Sequence, residues 1–202
     1  MSDSKFDILI VGVGGQGVLL ASEIISQVAM DAGLDIKKSE VHGMSQRGGV
    51  VSSHVKIAEK VYSPVINHGQ ADVMISFEQA EGLRAADWLK KDGLAVVSRT
   101  RLVPAIVTSS KDFSYPDDPI SDLQKKVKRM IPVDADSIAL ELGNPRLVNT
   151  ILLGVLSNYT PFGKDQWIEA IKKRVKPKFV DINLTALDRG RKITLETAGA
   201  AE

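Results

Sequence analysis

The chain of 202 residues contains no cysteine. That excludes disulfides, thiolate-bound zinc and any iron–sulfur cluster held by its own side chains. Histidine is scarce too: His42, His54 and His68 are the full set, and none stands at helical spacing from a second metal ligand, so no metal site is expected here. No apolar run reaches membrane-spanning length. The apolar residues 8–11 give way at once to Gly12, Gly14 and Gly15, so no secretory leader is expected. An excess of either charge is also missing. With 26 basic and 25 acidic residues the net charge is +1, which argues against a nucleic-acid or membrane-surface partner. Together these absences predict a cytoplasmic protein whose partners are small molecules or other proteins.

What is present is an ordinary globular composition, 44% apolar and 25% charged, sufficient for one core-forming domain over residues 1–202. Residues 6–11 are short, β-branched and stopped by glycine, the pattern of a buried strand. Residues 16–32 place Ala21, Ile24, Ile25, Val28 and Ala32 at three- and four-residue steps, which predicts a core-facing helix ending before Gly33. A second strand at 35–40 would complete a β-α-β crossover. Residues 51–57 and 61–66 read as an antiparallel hairpin inserted in, or added to, the sheet. Further strands are expected at 72–77, 94–97 and 130–133, with 102–108 pairing beside the sheet.

A helix over 78–91 is predicted from Ala80, Leu83, Ala86 and Leu89, closing with Lys90, Lys91 and Gly93. Residues 111–119, with two prolines and three aspartates, read as a surface loop. Helices follow at 120–129, 137–142, through 156 after Pro145, and at 165–175, so the part beyond about residue 137 is mostly helical. The fold class is α/β: a Rossmann-like, mostly parallel sheet with an inserted antiparallel hairpin and a helical C-terminal part. Trp88 and Trp167 fall within the predicted helices and read as structural anchors. Residues 164–192 carry nine Lys or Arg against four Asp or Glu, either a solvated helical face or a docking surface for an acidic partner.

Two stretches have the chemistry of binding loops. Gly12, Gly14, Gly15, Gln16 and Gly17 form a G-x-G-x-x-G turn after a buried strand and at the mouth of a helix. There the absent side chains, the free N–H groups and the helix dipole favour an anion. A dinucleotide, another anionic ligand, or tight packing alone each account for these glycines. A dinucleotide also needs an acid at the end of the second strand. Asp35 has the spacing but begins the strand; Glu40 ends it but runs straight into the next loop. In that loop Ser45, Gln46 and Arg47 sit among Gly43, Gly48 and Gly49. The Arg47 fork matches a carboxylate or phosphate, either on a ligand or partner or on Glu40 within the chain. Ser45, Arg47 and Gly48 are therefore candidate contacts. No residue is assigned a catalytic role. On these features alone, a free-standing Rossmann-like nucleotide-binding enzyme and an anion-sensing module both remain open.

GVGGQGV at 12–18, EVHGMSQRGG at 40–49, the strand VVSSHVKI at 50–57 and NTILLG at 149–154, in that order and spacing, resemble the gamma-type domain of pyruvate and related 2-oxoacid:ferredoxin oxidoreductases. The likeness covers about the first four-fifths of the chain, and the HGMSQRGG form is similar to the indolepyruvate branch. The resemblance implies a subunit, inactive alone, of a complex that oxidatively decarboxylates arylpyruvates to aryl-acetyl-CoA. Coenzyme A would accept the acyl group and ferredoxin the electrons. Thiamine diphosphate and the iron–sulfur clusters are expected on a large alpha subunit, which agrees with the missing cysteine and with the lack of a GDG thiamine diphosphate motif here. By the same resemblance, Gly14 to Gly17 and Ser45 to Gly48 become candidate coenzyme A or partner contacts.

Overall fold

The structure, a computed structural model, describes residues 5–43, 49–103 and 114–196. Six strands form one sheet: β1 (Phe6–Val13), β2 (Asp35–His42), β3 (Val50–Ala58), β4 (Ala71–Ser76), β5 (Leu89–Ser98) and β6 (Arg129–Val133), in spatial order β2-β3-β1-β4-β5-β6. β1, β4, β5 and β6 run parallel, whereas β3 is antiparallel to both β1 and β2.

Alternation along the strands sends side chains into two cores. Ile8, Ile10, Val55, Ile57, Ile75 and Val96 face α1 (Val18–Asp31), α5 (Val148–Ser157), α6 (Lys164–Arg174) and α7 (Val180–Arg191). Leu9, Val11, Met74, Ala95 and Val97 face the opposite side, under α2 (Gln79–Arg84) and α3 (Pro119–Lys126). A short helix α4 (Ala135–Glu141) follows β6 and packs with the first group through Ala135 and Ala139. Helices therefore cover both faces of the parallel part of the sheet.

The predicted buried first strand, the following helix and the helical C-terminal part are all found. The position of β2 differs. It lies at the sheet edge and pairs with β3, so the crossover from β1 through α1 skips one strand place and the antiparallel hairpin is β2–β3. Residues 61–66 form no strand. Pro64 has no N–H to give a ladder, and the Val61 and Ile66 N–H groups donate to side chains instead, to Asp35 Oδ2 at 2.9 Å and His54 Nδ1 at 3.3 Å.

The helix predicted over 78–91 is also shorter than its periodicity suggested. After α2 the chain makes a 3-10 turn at Ala86–Trp88 and enters β5 at Leu89, so Lys90, Lys91 and Gly93 belong to a strand. Leu89 pairs with Ala71, and a Cβ on Gly93 would stand 3.0 Å from the Ala71 carbonyl oxygen, too close for a side chain. Residues 102 and 103 lie outside any strand, and the rest of the predicted 102–108 strand falls outside the described residues.

Trp167 is fully buried, and Trp88 is half-buried between two imidazoles, stacked on His68 at 4.0 Å and edge-on to His54 at 4.9 Å. Five cations of the basic C-terminal part are spent on ion pairs within the chain: Lys164 with Asp188, Lys172 with Glu169, Lys173 with Asp31, Arg174 with Glu23, and Arg189 with Glu141. Most of that charge is thus neutralised locally. α5 and α7 cross where Gly154 meets Gly190. A Cβ on Gly190 would lie 2.0 Å from the Ile151 carbonyl oxygen, and one on Gly154 would lie 2.3 Å from that of Leu187, so only glycine admits this approach.

Candidate functional site

The parallel strands end on the side where open α/β sheets receive ligands, at the crevice where successive helices leave for opposite faces. Here that crevice lies between β1, which leads to α1 on one face, and β4, which leads to α2 on the other. Gln16 fills it. Its Oε1 accepts the Val13 N–H at 2.7 Å and its Nε2 donates to the Phe77 carbonyl at 2.8 Å. Both ends of the amide are spent on backbone, so the structure places Gln16 as a brace of the turn.

The glycines divide by role. A Cβ on Gly12 would stand 2.9 Å from both Gln16 Oε1 and Phe77 Cβ, so this glycine serves packing. Gly15 and Gly17 have φ of +101° and +90°, the left-handed region that disfavours side chains. Gly15 has open space around it, while a Cβ on Gly17 would lie 3.1 Å from Asn149 Nδ2. α1 then begins without a side-chain cap and without an acidic residue in its first turn. Its N-terminus keeps the positive end of the helix dipole uncompensated.

The structure brings the two sequence motifs together through β3. Because Gly12 pairs with Val51 and Val13 with Val50, the loop after β2 returns beside the glycine turn. The Gly14 N–H donates to the Gly49 carbonyl at 2.9 Å, and the Gly43 N–H closes the hairpin on the Val50 carbonyl at 2.8 Å. A cavity of about 670 Å³ lies against this junction, walled by Val13, Gly14, Gly15 and Gly17 on one side and by His42 and Gly43 on the other. Its remaining wall is apolar, with Val18, Leu19, Leu20 and Val51. Such a cavity offers donors at one end and apolar surface along its length, suited to an anionic ligand with an apolar body. Ser45, Arg47 and Gly48 lie outside the described residues.

The two acids weighed for a ribose are engaged elsewhere. Asp35 accepts the Val61 N–H and pairs with Lys37 at 3.3 Å; the bond from Val61 is the main cause that holds its carboxyl below the usual range. Glu40 sits on the edge strand and pairs with Lys38 at 3.1 Å. β3 moreover occupies the place beside β1 that the second strand of a dinucleotide fold would take.

On the α2 side of the crevice the buried Glu78 caps α2 by accepting the Glu81 N–H at 2.9 Å, and it also accepts the Leu102 N–H at 3.2 Å and the Tyr115 hydroxyl. Burial first, and then Glu78, push the Tyr115 hydroxyl well above its ordinary pKa, so it remains a donor. Glu81 is raised by burial, against the lowering effect of Arg84. These contacts tie both ends of the β5–α3 connection to the sheet, a role for which the sequence carried no signal. Among the described residues no cluster of three or more His, Asp or Glu could hold a metal, and no helix is long and apolar enough to cross a membrane.

A family profile described as pyruvate ferredoxin/flavodoxin oxidoreductase matches residues 7–193. The chain is 44% identical to a protein named indolepyruvate oxidoreductase subunit IorB from Archaeoglobus fulgidus, with 92% of this chain and 94% of that one covered. It is 37% identical to a protein of the same name from Thermococcus kodakarensis, with 96% and 98% covered. Among solved structures, the pyruvate oxidoreductase subunit PORC of Thermotoga maritima superposes with a TM-score of 0.72 at 23% identity, covering 94% of this chain and 97% of that one. That last likeness speaks for the fold.

Proposed function

The chain belongs to the pyruvate ferredoxin/flavodoxin oxidoreductase family, and from that premise we propose that it is the small subunit of an indolepyruvate oxidoreductase. The observation that carries this reading is the likeness to the IorB proteins, which extends over nearly the whole of each chain. The complex would work in the cytoplasm, oxidatively decarboxylating arylpyruvates to aryl-acetyl-CoA and passing the electrons to ferredoxin. Thiamine diphosphate supplies the decarboxylation chemistry and iron–sulfur clusters carry the electrons, both on a large alpha subunit. The residues of this chain do not fit a cluster, because no cysteine is available to ligate one.

What this subunit contributes is the wall of a path for coenzyme A. The backbone at Gly14, Gly15 and Gly17 faces the cavity, Gly12 and Gln16 hold that backbone in place, and Ser45, Arg47 and Gly48 belong to the loop whose two ends border it. Anionic oxygens of the cofactor would meet the N–H groups at the start of α1, and the pantetheine arm the apolar wall. The test is reconstitution. The chain alone, and the chain co-expressed with the large cysteine-rich subunit, are assayed for viologen or ferredoxin reduction with indolepyruvate and coenzyme A. Turnover by the complex only is expected. Turnover by the lone chain, or an inactive complex containing intact clusters and thiamine diphosphate, would overturn the assignment.

A further inference from the structure

At the end of β1 away from the glycine turn, a cavity of about 260 Å³ is lined by Lys5 and Asp7 from the start of that strand and by Lys56 from β3. Lys60 and Ser63, from the segment that follows β3, complete its polar lining. That segment is fastened at both ends, by the Val61 bond to Asp35 and the Ile66 bond to His54. The volume falls below the range of about 300 to 1,000 Å³ common for drug-sized ligands, so the space suits a small one.

Asp7 is the group that calls for a ligand. The residue is fully buried, and neither of its carboxylate oxygens has a hydrogen-bond partner among the described residues. Lys5 Nζ stands 3.4 Å and Lys56 Nζ 3.9 Å from Oδ2, farther than the roughly 2.7 to 2.9 Å of a charge-assisted hydrogen bond. The two lysines neutralise the carboxylate without donating to it. Burial pushes the carboxyl above its ordinary range, against the lowering effect of Lys5 and Lys56. A buried acceptor left in this state costs free energy, which a molecule with a proton to share would offset.

The surrounding charges narrow the choice. Lys5, Lys56 and Lys60 set against Asp7 leave the lining with an excess of two positive charges. Asp35, whose charge reaches Lys60, is paired with Lys37, and Asp72, whose charge reaches Asp7, is paired with Lys90. A bound ammonium would face three others, so the donor that meets Asp7 must sit on an anion. Hydrogenphosphate joins one O–H to two negative charges. Sulfate has no proton to give, and a phosphate monoester has lost its last one by about pH 8. Lys5, with 54% of its side chain exposed, is the wall that can turn aside to admit the ion.

We propose that this cavity is a binding site for inorganic phosphate, held as the dianion that keeps one proton. Its P–OH group donates to Asp7, and the ammonium groups of Lys5, Lys56 and Lys60 meet the other oxygens. The site lies at the opposite end of β1 from the cavity assigned above to coenzyme A and does not depend on that assignment.

The full chain is titrated at about pH 8 with inorganic phosphate, sulfate and methyl phosphate, followed by calorimetry and by amide NMR shifts at Val61, Tyr62 and Ser63. Saturable phosphate binding is expected there, about tenfold or more tighter than for either proton-free anion. Asp7→Asn keeps the side-chain shape but offers an N–H, so it should remove that preference. Lys60→Gln, an exposed substitution, should weaken phosphate and sulfate by the same factor. No saturable binding, shifts confined to Gly14 and Gly15, or sulfate or methyl phosphate bound as tightly as phosphate overturns the assignment. So does a preference unchanged in Asp7→Asn or, where that variant does not fold, a phosphate affinity unmoved by Lys60→Gln. Turnover of the reconstituted complex is scored separately, so a chain that binds no phosphate still leaves the subunit reading to be judged by its own assay.

Discussion

Gln16 and Phe77 close the crevice between β1 and β4: the Gln16 amide donates to the Phe77 carbonyl at 2.8 Å while its oxygen holds the Val13 N–H. A single side chain thus fixes the shape of the glycine turn and occupies the place where a dinucleotide-binding sheet would admit a pyrophosphate. Gln16→Glu cannot donate to that carbonyl and sets a carboxylate against it. Loss of about 1 to 3 kcal/mol is expected in urea unfolding, with Gln16→Met, which loses both bonds but keeps the volume, nearer the lower end.

For the same reason neither NAD nor NADP should bind measurably. The crevice is bridged by Gln16, Asp35 is engaged by Val61, and Glu40 is on the edge strand beyond β3. Calorimetry should show no saturable heat; micromolar binding, about 8 kcal/mol, would contradict the role given to Gln16.

Gly190→Ala should be among the most damaging small substitutions. The new methyl would stand 2.0 Å from the Ile151 carbonyl oxygen, so α5 and α7 must separate. A loss of about 3 kcal/mol follows from overpacking, read as a fall in Tm of roughly 6 to 12 °C. Gly15→Ala meets open space and strains only φ, so its cost should be clearly smaller, about 1 kcal/mol.

Stability should fall as the solution is acidified below about pH 6.5, the reference value for histidine. Burial lowers the pKa of His54, whose Nδ1 accepts the Ile66 N–H. A lowered folded-state pKa means that the unfolded chain binds the proton first. The stabilisation is therefore complete above the unfolded value and is lost as pH drops through the folded one. Urea midpoints at pH 7.5 and 5.5 measure it, and His54→Gln should flatten that part of the profile.

Arg47→Ala should leave the melting temperature of the lone chain nearly unchanged. Glu40, the internal partner that would give Arg47 a structural role, already pairs with Lys38. In the assembled enzyme, loss of one charge-assisted contact should weaken function by about 1.5 to 3 kcal/mol, roughly ten- to a hundredfold. A raised KM for coenzyme A would assign the contact to the cofactor, a raised KM for the 2-oxoacid to the substrate, and lost co-purification to the subunit interface. A lower melting temperature for the lone chain with unchanged kinetics of the complex would return Arg47 to a structural role.

The parts of the fold legible in the sequence were those set by local pattern. The apolar run ending at Gly12, the α1 stripe at Ala21, Ile24, Ile25 and Val28, and the Pro145 turn before α5 each carry their own signal. Strand partners were not legible, because pairing is a long-range choice. Residues 61–66 are more apolar than β2, yet Pro64 and the Asp35 and His54 bonds hold them as a loop, while the charged β2 takes the edge. Leu89 met the helical spacing and still entered a strand, since its bridge to Ala71 depends on the sheet. At the site, the glycine turn was visible but the brace by Gln16 was not: a glutamine gives no hint of which carbonyl it will reach. Asn149 stood out only within a family-like stretch, and its place against Gly17 required the fold.

The insertion of β3 beside β1 also sets an order of events during synthesis. β1 is made before the other strands of this sheet, so both of its neighbours come later, Phe6 pairing with Ile57 and Ile8 with Val73. At ribosomal speeds of about 5 to 20 residues per second, roughly 3 to 10 s pass between the synthesis of Phe6 and that of Ile57. The β2–β3 hairpin closes over a much shorter span and can wait as a preformed edge. A nascent chain halted before residue 50 would therefore display β1, the most apolar strand of the sheet, without a partner, and such truncated chains are where chaperone capture and aggregation should concentrate.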